Sequence, residues 1–313
     1  MNIPESMSYR EKEMLCESAF AAGGPYWHMC TDGNCQCIIF TCPEEMRTAV
    51  NILGVLAASM PDIRIYTFEL MNNHLHIIFC GPKEKGEELF RMLKKRLRRY
   101  FAGQKRIVDL SGFECSFFPI ENLQSLRNEI VYVNRNGYLV NPEHTPYTYP
   151  WGANSVFFNP VLALLPSDSY NSLSVREKRC LCHSNDVCVS CNLSVYEGMI
   201  LPSSFCWVTE AESFFRDAHH YFHMLTRNYE AYGAIAGRIH DSIFLTDEEM
   251  YAAVSALCWK RYGVRQPSLL SGKEKVEVAR LMHGEYNASN RQIRSILKIA
   301  AEFVNELFPR SAR

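Results

Sequence analysis

Residues 63–80 of the chain are IRIYTFELMNNHLHIIFC. Two runs rich in β-branched and aromatic residues, 63–69 and 74–80, lie on either side of a segment that contains the pair Asn72-Asn73. Such runs favour strands, and consecutive asparagines favour a tight turn. The stretch therefore predicts a β-hairpin.

The segments on both sides of this hairpin predict further strands and helices. Apolar residues recur at helical spacing in some of these segments and alternate in others. The predicted elements are a strand pair at 26–40 around the turn Thr31-Asp32-Gly33-Asn34, helices at 43–60, 87–101 and 122–137, and a strand at 113–120. The order β-α-β-β-α-β-α predicts an α+β fold, with a ferredoxin-like antiparallel sheet and helices on one face.

The rest of the chain has a different pattern and predicts two further regions beyond a first domain at 1–155. Residues 156–208 are rich in Pro, Asn, Ser and Tyr without sustained periodicity, which predicts an irregular connection with one short helix at 174–182. Residues 209–313 predict a mostly α-helical C-terminal region.

Two predicted helices near the C-terminus, 272–282 and 289–300, have the spacing of a helix-turn-helix, which makes 272–300 a candidate DNA-binding segment. Ser289 is well suited to cap the second helix. The basic residues that lie off its apolar face, as in a recognition helix, are Arg291, Arg294 and Lys298. The surface of a plain helical bundle explains the same pattern equally well.

The composition limits the possible functions. A chain of 313 residues that is 47% hydrophobic has enough apolar material for a buried core. Its net charge of −1 produces no overall attraction to nucleic acid, so DNA binding would depend on local basic clusters. No apolar run has the length of a membrane span and the N-terminus lacks a signal-peptide pattern, so we expect no membrane partner and a cytoplasmic protein, nucleoid-associated when bound to DNA.

Two histidines and a tyrosine form a candidate catalytic set. His74 and His76 are two residues apart on a predicted strand, so both should lie on the face opposite Leu75, where a divalent metal could bind. Tyr132 lies off the apolar stripe of its helix, facing the sheet edge or solvent, and Asn136 follows one turn later as a possible third ligand. Taken separately, polar residues on a half-exposed strand and a surface tyrosine explain these positions more simply.

The segments that carry these residues resemble a known family. Residues 68–76, FELMNNHLH, look like the segment that leads into the histidine pair of the REP-associated branch of the single-tyrosine HUH transposases. Residues 132–136, YVNRN, resemble the tyrosine helix of that family, although the family usually has Asn-Pro where this chain has Asn136-Gly137. Residues 149–152, YPWG, also resemble the stretch that follows that helix.

The resemblance implies an HUH nuclease core and a chemical role for each residue. Mg²⁺ or Mn²⁺, held by His74, His76 and Asn136, would polarise a scissile phosphate. Tyr132 would attack that phosphate, which leaves a 5′-phosphotyrosine and a free 3′-hydroxyl. Because the covalent link conserves the phosphodiester energy, a later 3′-hydroxyl can displace the tyrosine and rejoin the strands. The expected partner is single-stranded or hairpin DNA, and a homodimer is possible.

A basic helix could bind the DNA backbone. The candidate residues for this contact are Lys94, Lys95, Arg98 and Arg99. A solvated helix face with acidic neighbours explains the same charges about as well when the catalytic set is left aside.

The 13 cysteines are scattered along the chain and mixed with bulky residues, which indicates mostly reduced, buried thiols. A structural zinc site at Cys180, Cys182, Cys188 and Cys191 is disfavoured because the spacing around the first pair fits no standard zinc knuckle.

Three functional hypotheses follow. The leading one is a metal-dependent transposase, a single-strand DNA endonuclease and strand transferase that uses a phosphotyrosine intermediate. The alternative is a domesticated DNA-binding regulator that derives from such an enzyme but no longer cuts. A zinc-stabilised interaction protein is the third hypothesis, and it would depend on the cysteine cluster.

Overall fold

In the computed structural model, an antiparallel sheet of four strands forms the centre of the N-terminal part of the chain. The structure describes residues 7–32, 38–140, 148–185, 189, 192–227, 235–236, 238–239, 245, 247–286 and 288–309. The chain divides into two units, Met1–Leu225 and Thr226–Arg313, which are described separately. No helix among these residues is both long and apolar enough to cross a membrane.

The first unit contains seven α-helices and seven strands among its described residues. The helices are α1 Tyr9–Ala21, α2 Pro43–Ala58, α3 Lys83–Gly103, α4 Leu123–Val140, α5 Val175–Cys182, α6 Val208–Ser213 and α7 Ala218–Arg227, the last of which extends just past the boundary. The strands are β1 Tyr26–Thr31, β2 Arg64–Leu70, β3 Leu75–Cys80, β4 Cys115–Ile120, β5 Asp168–Ser169, β6 Ser194–Tyr196 and β7 Met199–Ile200. The predicted hairpin is confirmed as β2 and β3, which pair in antiparallel register.

The main sheet has the strand order β2-β3-β1-β4. His76 of β3 lies opposite Cys30 of β1 on one side and opposite Glu69 of β2 on the other. The prediction of an α+β fold with an antiparallel sheet is therefore confirmed. Of the predicted strand pair at 26–40, residues 26–31 form β1, residues 33–37 lie outside the described part of the chain, and residues 38–40 are not in a strand.

Helices cover both faces of this sheet, whereas the sequence predicted helices on one face. On the first face, α2 and α3 pack against apolar side chains that include Phe68 and Leu75. On the second face, α4 packs across β2 and β3 and brings Tyr132 next to His76. The whole of β3 is buried as a result. The second face can be both polar and covered because α4 carries polar groups such as Glu129, which bonds to the sheet.

The described residues of the segment 156–208 pack within the first unit, whereas the sequence indicated an irregular connection. The strands β5, β6 and β7 form a small second sheet, and α5 confirms the short helix predicted at 174–182, with Ser174 as its cap. The Asn51 side chain of α2 donates to the carbonyls of Leu181 and Gly198, at 3.1 and 3.0 Å, and accepts from the Ile200 amide at 2.7 Å. These bonds attach the segment to α2. The chain divides into its two compact units after Leu225, and the domain boundaries at 155 and 208 stay a prediction.

A buried arginine joins three parts of the first unit. Arg127 of α4 donates from both terminal nitrogens to the Glu13 carboxylate of α1, at 2.6 and 3.2 Å. Its Nε donates to the backbone carbonyl of Phe214 at 2.5 Å. The sequence did not predict α1, which begins after a Ser8 capping box. Arg127 therefore anchors α1 on the sheet domain through a charge-assisted pair.

The second unit contains the predicted helix pair near the C-terminus. Its helices are α8 Asp247–Tyr262, α9 Gly272–Glu285, α10 Asn290–Leu297 and α11 Ala301–Leu307. Ser289 caps α10, as predicted. The predicted extension of this helix to Ala300 is wrong, because Lys298 adopts a left-handed conformation that ends it. Ile293 and Leu297 are buried in the core of this unit.

Candidate active site

The structure brings His74, His76 and Tyr132 together. His74 immediately precedes β3, and its ring lies perpendicular to that of His76 with the ring centroids 5.0 Å apart. The Tyr132 ring lies 5.9 Å from that of His76, also perpendicular. The α4 helix supplies Tyr132 from above the sheet, so side chains from distant parts of the sequence meet at one point.

The burial of this set differs from the expectation. Tyr132 is 2% exposed and His76 is 0% exposed, so the prediction that Tyr132 faces the sheet edge or solvent is wrong. The reason is that α4 lies flat across the sheet face. Residues off the apolar stripe of this helix therefore enter a buried polar layer between helix and sheet.

His28 is part of this layer and was missed by the sequence analysis. Its Nε2 lies 3.0 Å from Nδ1 of His76, and its Nδ1 lies 2.7 Å from Oε2 of Glu129. The His28 ring centroid is 6.2 Å from that of Tyr132. The signal that could have identified it is alternation along β1, because His28 and Cys30 are two residues apart, as are His74 and His76.

Neighbouring groups orient both histidines of the predicted pair. Nδ1 of His74 lies 2.7 Å from Oδ1 of Asn73, and Nδ1 of His76 lies 3.0 Å from His28. In each ring, Nδ1 makes this contact, and Nε2 is the other ring nitrogen. Histidine ligands of metals commonly have one ring nitrogen fixed in this way, which sets the tautomer of the other. The Nε2 atoms of the pair are therefore the nitrogens that the predicted metal site would use, and their role as ligands stays a prediction.

The remaining predicted metal ligand is Asn136, which is buried one helical turn after Tyr132. Its place in a metal site stays a prediction.

Asn134, two residues earlier, has a structural role that the structure shows directly. It bonds to the Thr67 hydroxyl of β2 and donates to the Tyr221 hydroxyl of α7 at 2.7 Å. These bonds hold α4 on the sheet.

The segment after α4 lines the edge of β2 beside the site. The Leu70 amide donates to the Trp151 carbonyl at 2.8 Å, and the Ala153 amide donates to the Phe68 carbonyl at 3.0 Å. The Tyr149 hydroxyl donates to the Leu70 carbonyl at 2.7 Å, and burial raises the pKa of this phenol well above its ordinary value. Tyr149 therefore stays a neutral donor. This segment is the YPWG stretch.

Gly152 is needed at the closest approach of this segment to the sheet. A Cβ at position 152 would lie 2.2 Å from Oε2 of Glu69. We expect Gly152→Ala to lower the free energy of unfolding by about 1–3 kcal/mol, because it forces the buried carboxylate or the segment to move. Urea unfolding measures this effect. The matched control is Gly103→Ala, where a Cβ meets nothing within 4 Å; equal stability of the two variants would contradict the expectation.

The predicted DNA-binding residues of α3 divide into two groups. Lys94 is buried and forms an ion pair with Glu114, so its contact with DNA stays a prediction that requires this pair to open. Lys95, Arg98 and Arg99 are exposed. In the second unit, Arg294 and Lys298 are exposed, and Arg291 pairs with Asp247 at 3.0 Å while remaining exposed.

The candidate zinc cluster is described only in part, because Cys188 and Cys191 lie outside the described residues. Cys180 is exposed, whereas Cys182 is buried 3.9 Å from the Tyr170 hydroxyl. Burial raises the pKa of the Cys182 thiol to about 11. A thiol that resists deprotonation is a poor zinc ligand unless the metal displaces its proton.

One solved structure resembles part of the chain: a REP-associated tyrosine transposase bound to a REP hairpin. The two are 18% identical, with a TM-score of 0.35, over 46% of this chain and 84% of that chain. No family model and no curated protein matches the sequence. The function is therefore inferred from the side chains of the site and not from this similarity.

Proposed function

We propose that the chain is a metal-dependent transposase that cuts and rejoins single-stranded or hairpin DNA through Tyr132. The observation that carries the proposal is the meeting of Tyr132 with His76 and His74, at ring-centroid distances of 5.9 and 5.0 Å. A nucleophile beside a pair of imidazoles that can hold a metal is an arrangement suited to metal-assisted phosphoryl transfer. The element order and the strand order β4-β1-β3-β2 support a ferredoxin-like HUH core.

Each residue has a chemical role in this proposal. Bound by His74, His76 and Asn136, Mg²⁺ or Mn²⁺ would withdraw charge from the scissile phosphate. The Tyr132 oxygen forms a bond to phosphorus as the bond to the 3′-oxygen breaks, which gives a 5′-phosphotyrosine and a 3′-hydroxyl. Attack by a 3′-hydroxyl reverses the step and transfers the strand. His28 and Asn73 hold the two imidazoles in orientation.

Access to the site requires movement. Tyr132 and His76 are buried, so the groups that cover them must separate before a phosphate can reach the tyrosine. The same observation favours a second candidate function, a regulator that binds DNA without cutting it. Incubation with Mn²⁺ or Mg²⁺ and labelled single-stranded DNA that carries hairpins from the flanks of the gene separates the two, because only the enzyme forms a covalent adduct.

The exposed basic residues of α3 provide the proposed backbone contact. Arg91, Lys95, Arg98 and Arg99 are spaced so that they form one stripe along the helix. Arg294 and Lys298 of the second unit are proposed as further DNA contacts. A homodimer and a cytoplasmic location remain part of the proposal.

Removal of a basic residue from this stripe should weaken DNA binding independently of the base sequence. The slope of log K against log salt is negative. We expect Lys95→Ala or Arg98→Ala to reduce its magnitude by about 0.7 for each phosphate of single-stranded DNA that the variant no longer neutralises. Fluorescence anisotropy at several salt concentrations measures the slope. The matched control is Lys85→Ala, since Lys85 lies on the same helix in an ion pair with Glu88 at 3.0 Å. An equal reduction in the magnitude of the slope in the control would contradict the assignment.

A further inference from the structure

Strand β1 places a thiol and an imidazole beside His76. Cys30 lies directly opposite His76 in the pairing of β1 with β3, and His28 lies two residues earlier on the same face. All three side chains are buried, and their nitrogen and sulfur ligand atoms lie within 4.8 Å of one another. Among the described residues, these three form a group of at least three His, Cys, Asp or Glu side chains whose ligand atoms are close enough to share one metal ion.

We propose that His28, Cys30 and His76 form a binding site for a thiolate-preferring divalent metal, of which Zn²⁺ is the representative. The Nε2 of His28 and Nδ1 of His76 lie 3.0 Å apart. Two nitrogens on a tetrahedral zinc, each about 2.0–2.1 Å from the metal, are separated by about 3.3 Å. The nitrogens therefore need to separate by only about 0.3 Å, and the two rings must also turn so that both lone pairs point at the metal instead of at each other.

Glu129 supplies the outer support that such a site needs. Its Oε2 lies 2.7 Å from Nδ1 of His28, in the carboxylate–histidine–metal arrangement found around zinc. Glu129 is itself buried, at 2% exposure. The carboxylate fixes the proton of His28 on Nδ1, so the lone pair of Nε2 is directed toward His76 and Cys30.

The charges and protons of the site balance. The Glu129 carboxylate and the Cys30 thiolate together offset the charge of the dication, while buried Glu69, opposite His76 on β2, and buried Arg135 of α4 add one charge of each sign. Binding releases the thiol proton to solvent, and His76 carries its remaining proton on Nε2 while Nδ1 binds the metal. An uncompensated charge in this layer would be costly, so this neutrality favours the complete set of ligands.

This site differs from the proposed catalytic one in both ligands and metal. It uses Nδ1 of His76 and needs neither His74 nor Asn136. Thiolate and imidazole select zinc or cobalt over magnesium. The two sites share one imidazole, so simultaneous occupancy requires His76 to lose both ring protons. The inference does not depend on cutting by Tyr132, because metal binding is measured without DNA.

The test is metal analysis and spectroscopy of the full-length protein. After chelation and reloading, we expect the wild type to retain stoichiometric Zn²⁺. With Co²⁺ in its place, we expect a thiolate-to-cobalt charge-transfer band. Cys30→Ser should remove the band and the zinc bound at this site. His74→Ala should keep both. A Cys180→Ser, Cys188→Ser double variant should also keep both, which separates this site from the second cysteine cluster.

Two outcomes would overturn the proposal: a wild-type protein that binds no zinc, or a charge-transfer band that survives Cys30→Ser. Glu129→Gln gives a graded readout should the cysteine variant fail to fold, since loss of such an outer carboxylate lowers zinc affinity on the order of 10- to 100-fold. Unchanged affinity in that variant, with circular dichroism like that of the wild type, also counts against the site. Adduct formation with Mn²⁺ is scored separately, so failure of the proposed function is distinguishable.

Discussion

Replacing Tyr132 with phenylalanine is expected to abolish the covalent protein–DNA adduct while leaving DNA affinity unchanged. The substitution removes the hydroxyl, which is the attacking group, and keeps the ring that lies 5.9 Å from His76 and 6.2 Å from His28. The packing of α4 on the sheet is therefore preserved. The measurement is a denaturing gel of labelled single-stranded DNA after incubation with Mn²⁺ or Mg²⁺, with a chelator lane beside it.

Tyr149→Phe is the matched control for this experiment. Tyr149 is also buried near the site, but its hydroxyl donates to the Leu70 carbonyl and its role is structural. It should retain the adduct, with some loss of stability. If the Tyr132→Phe protein still forms the adduct, Tyr132 is not the nucleophile. A wild type that binds these hairpins and never cuts them would favour the regulator.

Arg127→Met is expected to lower the free energy of unfolding of the first unit by about 3 kcal/mol. Removing one member of a buried ion pair costs about 3–5 kcal/mol, and the lower value applies because the Glu13 side chain is 26% exposed. The Phe214 carbonyl also loses its donor. Urea unfolding at neutral pH measures the change. Arg216→Met is the control: Arg216 makes one 3.1 Å contact with Glu13 and should cost about 1 kcal/mol or less.

The same pair predicts a pH dependence. The Arg127 guanidinium, through its hydrogen bonds, holds the pKa of Glu13 below the ordinary value of 4.5, against the opposing effect of burial. A carboxyl whose pKa is lowered in the folded state stabilises fully above its unfolded pKa, and this stability is lost as the pH falls through the folded value. The difference in stability between wild type and Arg127→Met should therefore shrink below pH 4.5. A constant difference would show that the pair is not the cause.

Local patterns predicted much of the fold. Strand-forming runs around Asn72-Asn73 identified the hairpin, since turn chemistry and β propensity agree there. Ser174 and Ser289 identified two helix starts, because a capping side chain acts within three residues of its own position. The proximity of His74 to His76 likewise follows from the alternation of one strand.

The differences between the sequence expectations and the structure have a common origin in contacts between distant segments. Lys94 and Lys95 are neighbours in a basic run, yet one is buried against Glu114 and the other is exposed. His28 meets His76 through strand pairing over 48 positions. The burial of Tyr132 depends on which sheet face α4 covers. Helical periodicity identifies the apolar stripe of α4, but it does not show that the polar face of the helix also packs against the sheet.

The sequence by itself determined the strand hairpin, the α+β class, the spacing of the histidine pair and the position of Tyr132 off the apolar stripe of its helix, because each depends on periodicity or chemistry within a short segment. Tertiary structure alone decided that this polar set is enclosed between α4 and the sheet, and that His28, Cys30 and Glu129 belong to it. The physical reason is that an antiparallel sheet brings distant strands into register through backbone hydrogen bonds, so the neighbours of a side chain are set by pairing and not by spacing.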